Sequence, residues 1–584
     1  MAELSPREPY FENRKGEVTE LRAALKNIDV QRDKIKYRTA VQKVIGYMTL
    51  GLDVSSLFSE MMMASATTDL VQKKLVYLYI REQAESNKDI AILMISTLTK
   101  DAMDDNPMIR GLALRTMCEL KLPDLLEYIK EPLLQGLKDR SAYVRKIAAM
   151  GTVKIFQFAP DIIKDPSVLE QLRGLIKDDD GQVFFNAIFA LEEILADEAG
   201  IQLDKDIVQT IVHRLHTVNE WSQCLLLSIL TRYNPAGQEE VIALLNSLDD
   251  RLKHANKGVS MAAAKLFLIF TKDTLFLRND VYNRLRAPLI SVVSSPSPEL
   301  SFTALPALLM VFKGRAHLLS KQFKSFYIRE SDPGYLKNLK LVTLTEVVTE
   351  SNMESILSEL RYCAMDPDAS VAEMGIKCIG KIGKDHPLAS DKSLELLIGL
   401  LESNLDHVTA YVFDAIKEIL SKMKIHGNYI AAKMISYWDK VTDHQSGKAA
   451  LIWILGEFGE GISNSPYILE KLLDNIDQEN TAEVKLALLN AGVRLFFQRP
   501  PEFQHVLGRI FSHLVEDETN IDVRDRAMFY YRCLKTDVNK AQELLSKGRR
   551  MIEDCHAKKT LFESEEGIML KDLNTLEGSR LIAY

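Results

Sequence analysis

Two short motifs in this sequence have residue types that could do chemistry. The first, Ser446-Gly447-Lys448, matches the end of a phosphate-binding loop, in which backbone amides and a lysine hold nucleotide phosphates. The glycine that opens such a loop is replaced by Thr442, and no parallel-strand pattern surrounds the segment. We therefore predict no nucleotide site there.

The second motif is a pair of histidines. His213 and His216 are three residues apart on a predicted helix, where they could give a metal ion two ligands. No further ligand follows at a metal-binding spacing, so we interpret them as a surface pair. No serine or cysteine lies in the strand-turn-helix context that activates a nucleophile. The sequence predicts no catalytic residue, no metal site and no cofactor, and hence a protein that is not an enzyme.

Composition narrows the class of protein. The 584 residues carry 73 Lys and Arg against 81 Asp and Glu, so the net charge is −8. This balance predicts no nucleic-acid partner and confines any contact with an anionic membrane to a local patch. No apolar run approaches the roughly 18 residues that span a bilayer, and the charged N-terminus is unlike a signal peptide. The six cysteines are scattered singly, as in a reducing cytosol, so we expect a cytoplasmic protein.

The sequence predicts repeated helices, and these are the elements that would position any functional surface. A set of three residues recurs after polar turns. It consists of an apolar residue, a small residue four positions later and, usually, a second apolar residue four positions after that. This spacing places all three on one helix face, and the small residue allows a second helix to cross closely. The sets begin at Ile109, Val144, Val183, Val259, Leu300 and Val371.

The starting residues of these sets recur at about 35–41 positions or at twice that interval, which is typical of HEAT and armadillo arrays. A chain of this length also cannot form one compact core, since single cores stop growing at about 250–300 residues. We therefore predict an all-α fold, a HEAT/armadillo-like α-α superhelical solenoid over residues 18–546. A flexible N-terminal arm (1–17) and a polar C-terminal tail (547–584) are expected on either side.

One predicted helix lies in the segment ASATTDLVQKKLVYLY, from Ala64 to Tyr79. Thr67, Thr68 and Asp69 are candidate N-caps, because a side-chain oxygen can accept the free amides of a first turn. We expect a broad buried face that includes Val71, with Gln72, Lys73 and Lys74 on the opposite, polar side.

This helix and several other segments resemble the trunk of the beta-adaptins, the large beta chains of heterotetrameric vesicle adaptor complexes. The form ASAT followed by VQKKLVYLY is similar to the complex-4 branch of that family. The resemblance covers roughly residues 18–535. The segments that carry it are VIGYMTLGLDVSSLF (44–58), VQKKLVYLY (71–79), EYIKEPLLQGLKDRSAYVRK (127–146), GKAALIWILGEFGEGISNSPYILE (447–470) and VRDRAMFYYRCL (523–534).

The resemblance implies a structural and docking subunit in intracellular vesicle-mediated transport. Its implied partners are a second large adaptin chain of epsilon type, a medium chain and a small chain. The implied location is peripheral, on trans-Golgi network or endosomal membranes, in a clathrin-independent coat. Beta-adaptins usually continue through a hinge into an appendage domain. Because this sequence ends at Tyr584, about where the hinge would begin, we expect no appendage function.

A basic stretch near the N-terminus is a candidate site for anionic lipid, as related beta-adaptins carry a basic membrane-facing region at this end. Each lysine or arginine near an anionic surface contributes about 1 kcal/mol, so the residues matter only together. The alternative is a solvated helix face whose charge is offset by Asp29 and Asp33. The candidate residues are Lys26, Arg32, Lys34, Lys36 and Arg38.

The resemblance also implies recruitment by an Arf-type small GTPase, through an apolar pair that aligns with Ile92 and Ile95. Three residues apart on a helix, the two would share one face and could form a small exposed patch. The alternative is that both are core residues, because Leu93, Met94 and Leu98 make the predicted helix apolar nearly all round.

A different class of helical array, such as a nuclear-import receptor or a phosphatase scaffold, is the alternative function. Import receptors usually show Asn/Trp ladders or long acidic loops. Here Trp221, Trp438 and Trp453 occur at no fixed period, and no acidic tract is present.

Overall fold

The computed structural model describes residues 17–121, 126–272, 274–402, 406–422, 427–437, 444–462, 465–474, 481–517 and 520–547. Within these ranges every regular element is a helix and no strand occurs. Nearly all of the predicted N-terminal arm and C-terminal tail lies outside the described residues. The chain divides into two compact units at Leu248 and Asp249.

The first unit is built from fifteen α-helices, and a sixteenth contains the division between the units. Their bounds are α1 (Glu17–Lys26), α2 (Ile28–Arg32), α3 (Lys34–Thr49), α4 (Phe58–Met63), α5 (Leu70–Gln83), α6 (Lys88–Ala91), α7 (Met94–Ala102), α8 (Pro107–Glu119), α9 (Leu126–Leu137), α10 (Ala142–Phe156), α11 (Pro160–Ile163), α12 (Pro166–Gly174), α13 (Gly181–Ile194), α14 (Lys205–Arg214), α15 (Glu220–Leu230) and α16 (Gln238–Leu252).

The second unit continues the helical pattern, and a 3-10 segment (Ala316–Phe326) replaces the second α-helix of one pair. Its α-helices are α17 (Lys257–Phe270), α18 (Leu275–Val293), α19 (Pro298–Val311), α20 (Gly334–Glu346), α21 (Met353–Cys363), α22 (Ala369–Asp385), α23 (Pro387–Leu401), α24 (Asp406–Lys422), α25 (Gly427–Ile435), α26 (Gln445–Phe458), α27 (Ser465–Asp474), α28 (Ala482–Gln498), α29 (Pro500–Ser512), α30 (Ile521–Thr536) and α31 (Val538–Lys547).

Helices follow one another in pairs, and the first helices of several successive pairs pack against one another. In the first unit α10 lies between α8 and α13 in this way, and in the second unit α22, α24, α26 and α28 pack in sequence. The second helix of a pair, such as α9 or α23, packs against its own first helix and the next one. This stacking within each unit confirms the predicted all-α, HEAT/armadillo-like class.

Close packing between first helices requires glycine in the segment LGEFGEG. A Cβ atom added at Gly456 on α26 would lie 2.7 Å from the Cα atom of Ala491 on α28. Two helices approach this closely only where the contact residues are small. The glycine in this segment therefore has a packing role.

The residues that begin the periodic sets are buried, with one exception. Five of them lie in the core, which confirms the predicted helical spacing of those sets: Ile109, Val144, Val183, Val259 and Val371. The prediction for Leu300 is wrong, because this side chain is 41% exposed.

In the helix that contains Leu300, the adjacent serine is the buried residue. The next residue, Ser301, is buried and donates from Oγ to the Val293 carbonyl at 2.8 Å. Ser260 makes the same bond to the Leu252 carbonyl at 2.6 Å. Both serines satisfy a carbonyl near the end of the preceding helix, yet Val259 beside Ser260 is buried whereas Leu300 beside Ser301 is exposed, so this bond does not by itself decide which residue faces inward.

A basic residue on the first helix of a pair binds an aspartate that follows the second helix or ends it. These partners are separated by 28–33 residues in sequence. In three of these pairs the nitrogen and oxygen atoms are 2.6–3.0 Å apart. Several of the aspartates also accept a backbone amide of the next turn, so they tie one pair to the start of the next. The pairs are Lys73–Asp101, Arg110–Asp139, Arg145–Asp178 and Lys337–Asp366.

Helix α5 begins as predicted but buries a different face. Asp69 is its N-cap and accepts the Val71 amide at 3.0 Å, which confirms the cap. Of the predicted polar side only Lys74 is exposed. The prediction is wrong for Gln72 and Lys73, which are buried, and for Val71, which is exposed. Each buried polar group has a partner: Gln72 Nε2 donates to the Ala64 carbonyl at 3.0 Å, and Lys73 pairs with an aspartate. Polar side chains can be buried when they are paired in this way.

Candidate functional site

Two of the five predicted basic residues hold the first helices together. Arg38 on α3 donates from Nε to Asp69 Oδ2 at 2.7 Å, and Lys26 Nζ on α1 lies 3.2 Å from Glu60 Oε1 on α4. Burial alone would raise the pKa of the Asp69 carboxyl, but hydrogen bonds from Arg38 and from backbone amides hold it below its usual range. Asp69 is therefore ionised at neutral pH, and the two cations are already paired.

The other three basic residues lie at the junction of α2 and α3. Arg32, Lys34 and Lys36 are exposed, and Ile35 among them is 75% exposed. Asp33 caps α3, and backbone hydrogen bonds, chiefly from Lys36, keep its pKa low. Lys36 Nζ lies 3.6 Å from Asp33, whereas Arg32 and Lys34 form no ion pair with any described residue. The cations available to an anionic lipid are therefore those around Ile35.

Ile92 and Ile95 do not share an exposed helix face, and that prediction is wrong. A turn at residues 92 and 93 separates α6 from α7. Ile92 is 37% exposed and Leu93 is 62% exposed, whereas Ile95 is 8% exposed. The Leu93 amide bonds to the Ile90 carbonyl at 3.1 Å, an i to i−3 bond that tightens the chain and changes which residues face outward.

The sequence analysis missed Leu93 as a surface residue. No glycine or proline lies between residues 88 and 102 to signal that the helix is interrupted. The exposed apolar pair at this position is Ile92 with Leu93.

The motifs that were considered for chemistry lie on the surface or within helices. His213 and His216 are exposed, and the described residues contain no group of three His, Cys, Asp or Glu side chains arranged for a metal ion. Ser446-Gly447-Lys448 forms part of the first turns of α26. Burial raises the pKa of the Cys363 and Cys378 thiols to about 12, so neither is a thiolate at neutral pH. In the part of the chain that the structure describes, no helix has the length and hydrophobicity to cross a membrane.

Sequence comparison assigns the family. The profile described as "Adaptin N terminal region" matches residues 13–538. The chain belongs to the adaptin family. AP-4 complex subunit beta-1 of Mus musculus is 39% identical over 528 residues, which are 90% of this chain and 71% of that protein.

Two further relatives agree with this assignment, and one structure has a similar fold. Beta-adaptin-like protein A of Arabidopsis thaliana is 38% identical, over 94% of this chain and 66% of that protein. AP-1 complex subunit beta-1 of Homo sapiens is 33% identical, over 93% of this chain and 57% of that protein. A homology model of the full-length AP-3 complex in an intermediate open conformation has a TM-score of 0.57 at 20% identity. It covers 91% of this adaptin and 93% of the matched chain, which shows a likeness of fold alone.

The predicted resemblance to the beta-adaptins, and to their complex-4 branch, is thereby confirmed. The match supports assigning this adaptin as a large adaptor-complex subunit in vesicle traffic, in a family of peripheral coat proteins. Such proteins are structural adaptors, which fits the prediction that the chain is not an enzyme. A family match over this much of the chain also favours an adaptor subunit over the other classes of helical array. The chain spans only 57–71% of the length of the curated relatives named here.

Proposed function

We propose that this adaptin is the beta-type large subunit of a heterotetrameric adaptor complex. Its partners would be a second large chain of epsilon type, a medium chain and a small chain. The complex would sort cargo into clathrin-independent vesicles at the trans-Golgi network or on endosomes. The observation that carries the proposal is the continuous similarity to AP-4 complex subunit beta-1 over 90% of the chain. Stacked helix pairs offer long surfaces for docking other chains.

Purification of the tagged full chain from its own cells tests this assembly. We expect three further polypeptides in equal amounts, one large, one medium and one small, identified by mass spectrometry. A phosphatase catalytic subunit or a nuclear-import cargo as the stoichiometric companion would contradict the proposal. So would a chain that purifies alone as a stable monomer.

We also propose that an Arf-type GTPase in the GTP state recruits the complex through Ile92 and Leu93. The support is local: two adjacent apolar side chains are exposed at a turn that fits a small docking contact. Ile95, which was predicted to belong to the contact, is buried and is left out. Apolar residues at the centre of an interface often cost about 2 kcal/mol or more when they are removed, which is roughly a 30-fold loss of affinity.

The double variant Ile92→Asp with Leu93→Asp tests recruitment. It should leave the complex assembled but lower GTP-dependent binding to the GTPase by roughly 30-fold or more, measured with immobilised GTPase. Met103→Asp is the matched control. Met103 is an apolar residue at the end of α7 and is as exposed as Leu93. Unchanged binding by the double variant would remove this turn from the recruitment site.

The third proposal is that Arg32, Lys34 and Lys36 contact anionic lipid, with Ile35 entering the interfacial region. Three cations at about 1 kcal/mol each would together change membrane affinity by roughly 100-fold. Reversal of all three to Glu should abolish flotation of the complex with vesicles that contain phosphatidylserine. The control reverses three exposed lysines elsewhere in the first unit, Lys121, Lys138 and Lys177. Equal losses in the two variants would indicate a net-charge effect and dismiss the patch.

A further inference from the structure

A groove in the first unit lies apart from the residues considered above. It crosses α8, α10, α13 and the start of α15 and encloses a volume of about 410 Å³, which we call the α8–α15 groove. Part of its lining is apolar, with Ile147, Met150 and Phe185 half-buried in the wall. Binding sites for small ligands and peptide side chains have volumes of about 300–1,000 Å³, so this groove has the size of a site.

An exposed aromatic residue is the sequence neighbour of a residue that lines the groove. Trp221 is 84% exposed and stands between Asn219 and Ser222, both of which line the α8–α15 groove. One helical turn later on α15, Leu225 is 44% exposed. Tryptophan is strongly enriched among residues that dominate protein interfaces. Trp221 and Leu225 are thus exposed apolar residues on the helix that contributes Ser222 to the groove.

The groove is positively charged. Arg115, Lys146 and Lys154 line it, and Glu119 is the one carboxylate among its lining residues. Arg115 Nε lies 3.4 Å from Glu119 Oε1. Glu119 also accepts from Lys154 and, at 2.7 Å, from Arg81. Although burial favours its neutral form, these bonds hold the pKa of Glu119 below its usual range, so it remains a paired anion. The balance of the lining favours a ligand with negative charge.

Side-chain amides add hydrogen-bonding groups. Asn186 Nδ2 donates to the Lys146 carbonyl at 3.0 Å, and Gln182 Oε1 accepts from Lys146 Nζ at 2.8 Å. The remaining amide groups are Asn186 Oδ1 and Gln182 Nε2. Neither makes a hydrogen bond to another described residue. An amide can both donate and accept, which suits the alternating groups of an extended peptide backbone.

We propose that the α8–α15 groove binds an extended peptide segment of a partner protein, in which acidic side chains flank a bulky apolar one. The apolar side chain would contact Met150 and Phe185, and the carboxylates would pair with Lys146 and Arg115. The site requires both features, since cations alone would suit any anion and the apolar wall alone would suit any hydrophobic segment. An anionic lipid headgroup would leave the apolar wall unused, so we favour a peptide.

A selection experiment on the full chain, purified with the subunits that accompany it, tests this proposal. The probe is a phage-displayed library of random 12-residue peptides, followed by fluorescence anisotropy with labelled synthetic copies. We expect the selected peptides to be rich in Asp or Glu next to Phe, Leu, Ile or Trp. Their binding should weaken with added salt, because screening shortens the reach of the charges.

Three variants locate the binding. Met150→Trp should block the groove without changing its charge, and Phe185→Ala provides a second test of the apolar wall. Lys146→Glu should weaken binding by about tenfold or more, since it replaces an attraction with a repulsion. Lys177→Glu, an exposed lysine outside the groove, is the matched control and should bind as the natural chain does. Circular dichroism and amide hydrogen exchange establish that each variant is folded.

Several results would overturn the proposal. The first is that no peptide is enriched, and the second is that the enriched peptides lack carboxylates or bulky apolar residues. The third is that folded Met150→Trp and Phe185→Ala variants bind the peptides as tightly as the natural chain. If anionic vesicles bind in a manner that requires Lys146 while no peptide does, the groove is a lipid site instead. The test does not depend on the identity of the accompanying subunits, so it can fail while the assembly proposal holds.

Discussion

The variant Asp101→Ala is expected to destabilise the first repeats of this adaptin by about 3–5 kcal/mol. The Lys73 and Asp101 side chains form an ion pair and are only 7% and 10% exposed. The Tyr77 hydroxyl donates to the same carboxylate, and burial is the main reason that the pKa of Tyr77 is raised well above its usual range. Without the carboxylate, an ammonium group and a hydroxyl group would remain buried and lose their common partner, which is costly.

Amide hydrogen exchange of α5 and α7, together with the urea midpoint of the full chain, measures the loss. Lys392→Ala is the matched control, because it breaks an exposed ion pair with Glu354 and should cost no more than about 1 kcal/mol. The double variant Lys73→Met with Asp101→Leu should recover much of the stability, since no charge is then left unpaired. If Asp101→Ala proves as mild as the control, the ion pair does not stabilise these helices.

The variant Ile95→Asp is expected to have the second large effect, a loss of about 4 kcal/mol or more. Ile95 lies in the core beside the buried residues Met94 and Leu98 of α7. The substitution removes a buried apolar side chain and puts a carboxylate in its place, for which no partner is provided. Ile92→Asp changes an exposed residue three positions earlier, and we expect a change in stability of about 0.5 kcal/mol or less.

Comparison of the two single variants separates folding from recruitment. Ile95→Asp should reduce the yield of assembled complex and increase hydrogen exchange in α7, whereas Ile92→Asp should leave both unchanged. A stable, assembled Ile95→Asp complex that has lost GTPase binding would contradict the buried position of Ile95. It would also restore Ile95 to the proposed contact.

Local sequence was sufficient for the helical class and for several helix ends. The intervals between apolar and small residues are a property of one helix at a time, so they predicted buried faces on α8, α10, α13, α17 and α22. The cap at Asp69 depends only on the next two residues, and its hydrogen bond is present. Long ordered segments such as GKAALIWILGEFGEG were sufficient for the family, because they are far more specific than the helical period.

Sequence alone could not decide which polar residues are buried. Lys73 and Gln72 occupy what looks like the solvent side of α5, yet both are buried because an aspartate 28 residues later and the Ala64 carbonyl pair with them. The recurring Lys/Arg–Asp spacing was the available signal, and the sequence analysis did not use it. A pairing between separate helices becomes apparent only when their packing is known.

The exposure of Leu300, Val71, Ile92 and Leu93 was also decided by tertiary structure, as was the α8–α15 groove. A helix in a stacked array is covered on more than one side, so its apolar residues do not all mark one buried face. At position 300 the adjacent Ser301 is buried in place of Leu300, and at Ile92 a tightened turn changes which residues face outward. Sequence therefore determined that these segments are helices of an adaptin trunk. The neighbouring helices decided which side chains remain free to bind, because burial depends on what covers a surface and not only on its own residues.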